Sequence, residues 1–146
     1  MFLGQYKHSI DAKSRLSIPR KFLEPFRDPS RGRLFYATRG LEKCIFLFLR
    51  PEWEDIVEQV RQGPLGSAEA RGFARQFFAL ARELSIDGSG RILLPREYLE
   101  IAGIDSEVVL VGVDRRIELW SPGTWEEENS RSGQSYEEHA KEIFRA

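Results

Sequence analysis

The chain has 146 residues, 41% hydrophobic and 31% charged, with 22 basic and 23 acidic side chains and a formal net charge of −1. That length suits one domain or two half-domains sharing a core, and the composition supports both a buried core and a solvated surface. It excludes an apolar run near the ~18 residues of a membrane span, and the single Cys44 excludes an internal disulfide.

Charge is unevenly spread. Residues 1–39 hold nine basic side chains against three acidic ones, a surplus of six, whereas residues 118–146 hold seven acidic against three basic, a deficit of four. Opposite poles can steer an anion to one end of a molecule or pair with neighbouring subunits. The opening "MFLGQYKHSI" has no apolar signal core or cleavage site. No export leader is therefore expected, and a reducing cytoplasm is the expected location.

In chain order, "FLGQYKHSI" alternates, with Phe2, Tyr6, His8 and Ile10 on one side, the period-2 pattern of a strand. "DAKSR" reads as a turn and "RLSI" as a returning strand, so the unit is expected to be a β-hairpin. Pro19 then opens a short helix, "PRKFLEPF". Strands follow at "RLFYAT" and at the apolar run "CIFLFL", where Cys44 is expected as a buried small hydrophobe. "EWEDIVEQVRQ" and, after "GPLGS", "AEARGFARQFFALARELS" read as helices. In the second, Phe73, Phe77, Leu80 and Leu84 fall on one stripe.

The hairpin pattern then returns. Residues 8–23, "HSIDAKSRLSIPRKFL", and 84–99, "LSIDGSGRILLPREYL", agree at seven of sixteen positions with a constant offset of 76. Gly88 and Gly90 supply turn chemistry in the second copy, and "PREYLEIAG" reads as a helix stopped by Gly103. After "EVVLVGV", "GVDRRIELWSPGTW" (112–125) matches "GLEKCIFLFLRPEW" (40–53) at Gly, Ile, Leu and Trp, now at an offset of 72. The expected class is α+β with an internally duplicated, β-rich core. The division drawn is 1–56 and 84–128 for the repeats, 57–83 for a connecting helical region, and 129–146 for a peripheral segment. Duplication implies a pseudo-twofold axis, with two equivalent turns near each other on one surface.

Enzymatic signatures are missing: there is no phosphate loop, no dinucleotide fingerprint and no convergent nucleophile set. Glu138, His139 and Glu142 share a helical face that reads as solvated surface, so neither metal nor cofactor is expected. The turns carry the better chemistry. Lys13 and Arg15, with Arg20 and Lys21 next in sequence, and Arg91 with Arg96 in the second copy, suit phosphate or guanine edges. Asp11 and Asp87 suit capping the turn or orienting the arginine four residues on. For the aspartates the clasp is the preferred reading; for Arg15 clasp and ligand contact both stand.

The duplicated D-x-x-x-R motifs "DAKSR" and "DGSGR", each followed by Pro after a short strand, together with "MFLGQYKHSIDAK", "ARGFARQFFALA" and "VLVGVDRRIELWSPGTW", resemble the MraZ family of bacterial transcriptional regulators. The resemblance spans nearly the whole chain. It implies a swapped-hairpin, AbrB-like double-split barrel, a ring-like homo-oligomer, and nucleoid-associated binding to direct repeats in the promoter of the division and cell-wall gene cluster. It implies double-stranded DNA contact by Lys13, Arg15 and Arg91. One departure is Ser14, where the family usually has Gly; a turn needing positive φ there would be modestly strained. The competing class is an antitoxin-like protein-interaction module without sequence-specific DNA binding.

Overall fold

The structure, a computed structural model, describes residues 1–145. The first half of the chain contains β1 (Gln5–Ser9), β2 (Arg15–Ser17), α1 (Arg20–Leu23) followed by two 3-10 turns, β3 (Leu34–Arg39), β4 (Ile45–Phe48), α2 (Arg50–Arg61) and α3 (Ala68–Ala79). The second contains β5 (Arg82–Ser85), β6 (Arg91–Leu93), α4 (Arg96–Ala102), β7 (Glu107–Val113), β8 (Arg116–Trp120), α5 (Pro122–Gln134) and α6 (Tyr136–Ile143). The boundaries drawn at 56/57 and 128/129 both fall inside helices, α2 and α5.

Six strands form one antiparallel sheet in the order β1-β7-β8-β4-β3-β5, and β2 and β6 form a separate two-stranded ribbon. The order reads the same backwards when the repeats are exchanged. Registers obey the same rule. Ile45 faces Leu119 and Leu47 faces Ile117 across β4 and β8, while Leu16 faces its own counterpart Ile92 across β2 and β6. A pseudo-twofold axis therefore passes through both the sheet and the ribbon.

Three expectations need correction. The hairpin turns form, but β1 and β2 build no ladder with each other, because each strand takes its ladder partner from the other repeat: β1 lies on β7, β5 on β3, and β2 on β6. An Ile10–Leu16 bridge and His8 Nδ1, 2.6 Å from the Ser17 carbonyl, join the two arms. The sheet also does not close into a barrel; β1 and β5 are its edges. Helix α3 stops at Ala79 rather than running to Ser85, so the Phe73–Leu84 stripe is divided. Leu84 leaves the helix to pair with Phe35 and is buried, a pairing no local pattern encodes. The Tyr98 hydroxyl, 2.6 Å from the Leu80 carbonyl and 3.1 Å from that of Ala37, serves the end of α3 where helical bonding ceases.

The core lies between sheet and ribbon. Leu16 and Ile92 from the ribbon strands, and Ile18 and Leu94 just after them, join Phe22 and Tyr98 from α1 and α4 and Phe35, Ile45, Leu47, Leu110, Ile117 and Leu119 from the sheet in one cluster. Leu16 and Ile92 are 0% and 1% exposed, so each contributes about 1.5–3 kcal/mol by leaving water. The helix of 96–102 ends at Gly103 with φ 65°, as expected of an αL cap. Cys44 is buried, donates to the Leu41 carbonyl at 3.1 Å and has its thiol pKa pushed up by burial. Among the described residues no helix is long and apolar enough to cross a membrane.

Candidate nucleic-acid interface

Alternation along the ribbon decides where the motif arginines go. Leu16 and Ile92 point into the core, so Arg15 and Arg91, one position away, point outward on the same face. Arg15 lies opposite Leu93 and Arg91 opposite Ser17, which makes the two arginines diagonal neighbours. The turns are tied across the axis as well. Ile18 N–H donates to the Gly90 carbonyl at 3.0 Å and Leu94 N–H to the Ser14 carbonyl at 2.9 Å. The two turns thus lie together on one surface, as the duplication implied.

Each turn is built around its aspartate. Asp11 Oδ1 accepts from the amides of Lys13 (2.9 Å) and Arg15 (3.0 Å), and Oδ2 accepts from Arg15 Nε at 2.7 Å. Asp87 repeats this with Ser89, Arg91 and Arg91 Nε at 2.9, 3.0 and 3.0 Å. Such donors favour the carboxylate. The Arg15 amide before all else, and the Arg91 amide in the second turn, hold Asp11 and Asp87 below the usual aspartate value. Each aspartate thus joins two amides of its turn to the guanidinium four residues on. Arg15 is clasped only through Nε, and its terminal amino groups have no hydrogen-bond partner among the described residues. Arg91 Nη1 lies 3.8 Å from Asp11 Oδ2, which links the two turns.

Positions 14 and 90 close the turns with φ of 62° and 77°. Ser14 thus occupies the left-handed conformation that its counterpart reserves for glycine. Gly88 is exposed and adopts no positive φ, so of the two turn glycines Gly90 is the one the backbone requires.

The expected grouping of cations is rearranged. Sequence order groups Arg20 and Lys21 with Arg15. Their helix, α1, packs instead beside the second turn, where a Cβ on Gly90 would come within 2.9 Å of Leu23 Cδ1. Reciprocally Arg96 and Leu99 of α4 line one groove with Lys13 and Ser14 of the first turn. Lys13, Arg20, Lys21 and Arg96 are exposed, and Arg96 lies 3.5 Å from Glu100. One cation was missed at the turns: Arg33 Nη2 donates to the Asp87 carbonyl at 3.3 Å. It counted only toward the basic pole of the sequence, since its position depends on β3 pairing with β5.

Comparison with known proteins matches this duplicated arrangement twice. A family profile described as "MraZ protein, putative antitoxin-like" covers residues 1–76 and again residues 77–145. The chain belongs to the MraZ family. Similar relatives are each named Transcriptional regulator MraZ. That of Syntrophomonas wolfei is 44% identical over 143 residues, covering 98% of this chain and 96% of the relative. Those of Desulforamulus reducens and Heliobacterium modesticaldum are both 39% identical, covering 98% and 99% of this chain and 97% of each relative. The two MraZ matches meet inside α3, and each holds one Asp–Arg turn.

Proposed function

We propose that this member of the MraZ family is a non-enzymatic transcriptional regulator that binds double-stranded promoter DNA in a sequence-specific way. The observation that carries the reading is the pairing of two Asp–Arg turns on one ribbon, with Arg15 and Arg91 on its outer face. Diagonal neighbours on a ribbon are about 7–8 Å apart, within the roughly 12 Å width of a major groove that admits a two-stranded ribbon. The relatives' shared name supports the regulatory role. In this reading Lys13, Arg20, Lys21 and Arg96 contact phosphates, Arg15 and Arg91 reach base edges, and the protein works in the cytoplasm at the nucleoid. The targets are direct repeats ahead of the division and cell-wall gene cluster. A ring-like homo-oligomer would present identical ribbons at regular spacing, as direct repeats require, whereas an isolated twofold dimer suits a palindrome. A monomer by light scattering with DNA binding intact would refute the ring.

The test is a gel shift on the DNA upstream of the gene, repeated across a salt series, with Arg15→Ala beside the wild type. Loss of a bidentate base contact costs about 1–3 kcal/mol per site and relaxes preference at that position. Unchanged affinity in folded Arg15→Ala would make Arg15 a clasp alone. The "antitoxin-like" description favours a second reading, a protein-binding module. That reading requires only weak, sequence-indifferent DNA binding that is lost as salt rises, and a stoichiometric protein complex.

A further inference from the structure

By sequence the first turn is the more basic, since Lys13 and Arg15 stand together with Arg20 and Lys21 a few residues on. The exchange of strands reverses that order. Ile10 N–H donates to the Ser106 carbonyl at 2.8 Å, and Ile86 N–H donates to the Arg33 carbonyl at 2.9 Å. Ser106 and Arg33 are therefore structural counterparts, one flanking each turn. The segment beside the first turn, residues 104–107, contains Asp105 and Glu107 and no cation. Its counterpart beside the second turn, residues 31–34, contains Arg31 and Arg33 and no acid. Lys7, on the strand leading into the first turn, is 4.0 Å from Glu107.

The helices shift the balance the same way. Beside the second turn lies α1 with Arg20 and Lys21; beside the first lies the start of α4, where Arg96 is followed by Glu97. The second turn gathers Arg20, Lys21 and Arg33 around its own neutral Asp87–Arg91 pair, a surplus of three, while Arg31 sits by Asp28. The first has Lys13, Arg96 and Lys7, the partner of Glu107, around Asp11–Arg15, against Glu97, Asp105 and Glu107, and so carries no surplus. Arg82 and Glu83, which line the groove beside Lys13, cancel.

We infer that the second turn is the principal phosphate anchor of the interface, and that Arg33 is a DNA-contacting residue at that turn although it belongs to the first repeat. The inference rests on the proposed DNA-binding reading. The basic surplus of the N-terminal third is delivered across the pseudo-twofold axis to the turn that is poorest in charge by sequence. Phosphate contacts fix register and orientation without carrying base identity, so the second turn holds the backbone while the first contributes less to the salt-dependent part of binding.

The experiment is a binding titration of the full chain on its upstream DNA between 50 and 200 mM salt, using Arg33→Gln, Ser106→Arg and Lys13→Ala. Arg33→Gln keeps an N–H donor for the Asp87 carbonyl and removes only the charge. It is expected to reduce the salt slope by about one, so the affinity lost across that range shrinks about threefold. Ser106→Arg supplies the missing counterpart at the first turn and is expected to steepen the slope by about one. Lys13→Ala is expected to change the slope less than Arg33→Gln. Wild-type slope and affinity in Arg33→Gln, or a flat response to Ser106→Arg, overturn the inference while leaving the regulator reading intact. Absence of wild-type binding overturns both. Thermal melting controls for folding; if Arg33→Gln melts early, Ser106→Arg, which removes no bond, decides.

Discussion

Replacing Ser14 by glycine should stabilise the protein. Ser14 has φ 62°, a conformation that costs an L-residue roughly 1–2 kcal/mol because Cβ crowds the following carbonyl. Glycine escapes that cost and loses about 0.5–1 kcal/mol through its freer unfolded chain. The difference favours glycine by about 0.5–1 kcal/mol. Nothing else of consequence is lost: Ser14 enters the turn through backbone bonds, its N–H donating to the Asp11 carbonyl at 3.0 Å and its carbonyl accepting from Leu94 at 2.9 Å. At this size the gain corresponds to about 1–4 °C in Tm. The reciprocal substitution, Gly90→Ala, meets both a φ of 77° and Leu23 Cδ1 at 2.9 Å. It should cost about 2 kcal/mol, the αL strain plus the displacement of a packed side chain. Scanning calorimetry of both variants at one protein concentration measures the pair. A lowered Tm in Ser14→Gly, or an unchanged one in Gly90→Ala, would show that these positions do not carry the turn strain.

Acid should loosen the turns. Asp11 and Asp87 are held below their ordinary value of 3.8 by the amides they accept, so the stability they supply is fully present above that value and is lost as pH falls beneath it. Melting between pH 5 and pH 2 should fall less steeply in an Asp11→Asn, Asp87→Asn double variant than in the wild type; parallel profiles would contradict the clasps. Deleting residues 136–146 should leave Tm within about 1 °C, since α6 buries no side chain. Cutting at 128/129 should cost more, because it halves α5, which Trp125 ties to Gln5 at 2.8 Å, and removes Arg131, the partner of Glu128. Equal losses from the two truncations would show that α5 ends functionally before residue 129.

Local chemistry is what the 146 residues declare by themselves. The alternation of Phe2–Ile10, the Pro19 and Pro95 helix starts, the Gly103 stop and the repeated D-x-x-x-R turns depend on contacts a few residues apart, so they are readable in order. The duplication goes further, because two copies of one element imply an axis and therefore neighbouring turns, and the turns do adjoin. Partner choice is different. That β2 pairs with β6, that Leu84 leaves a helical stripe for a strand against Phe35, and that the sheet stays open follow from burying two half-cores as one. Residues that pair across 45 positions, as Ala37 with Arg82, or across 106, as Gln5 with Val111, leave no local periodicity to read. The charge pattern of the site belongs to this second category. Coulomb interactions depend on distance in space, and the exchanged strands place Arg20, Lys21 and Arg33 beside Asp87–Arg91 although the sequence writes them next to Asp11–Arg15.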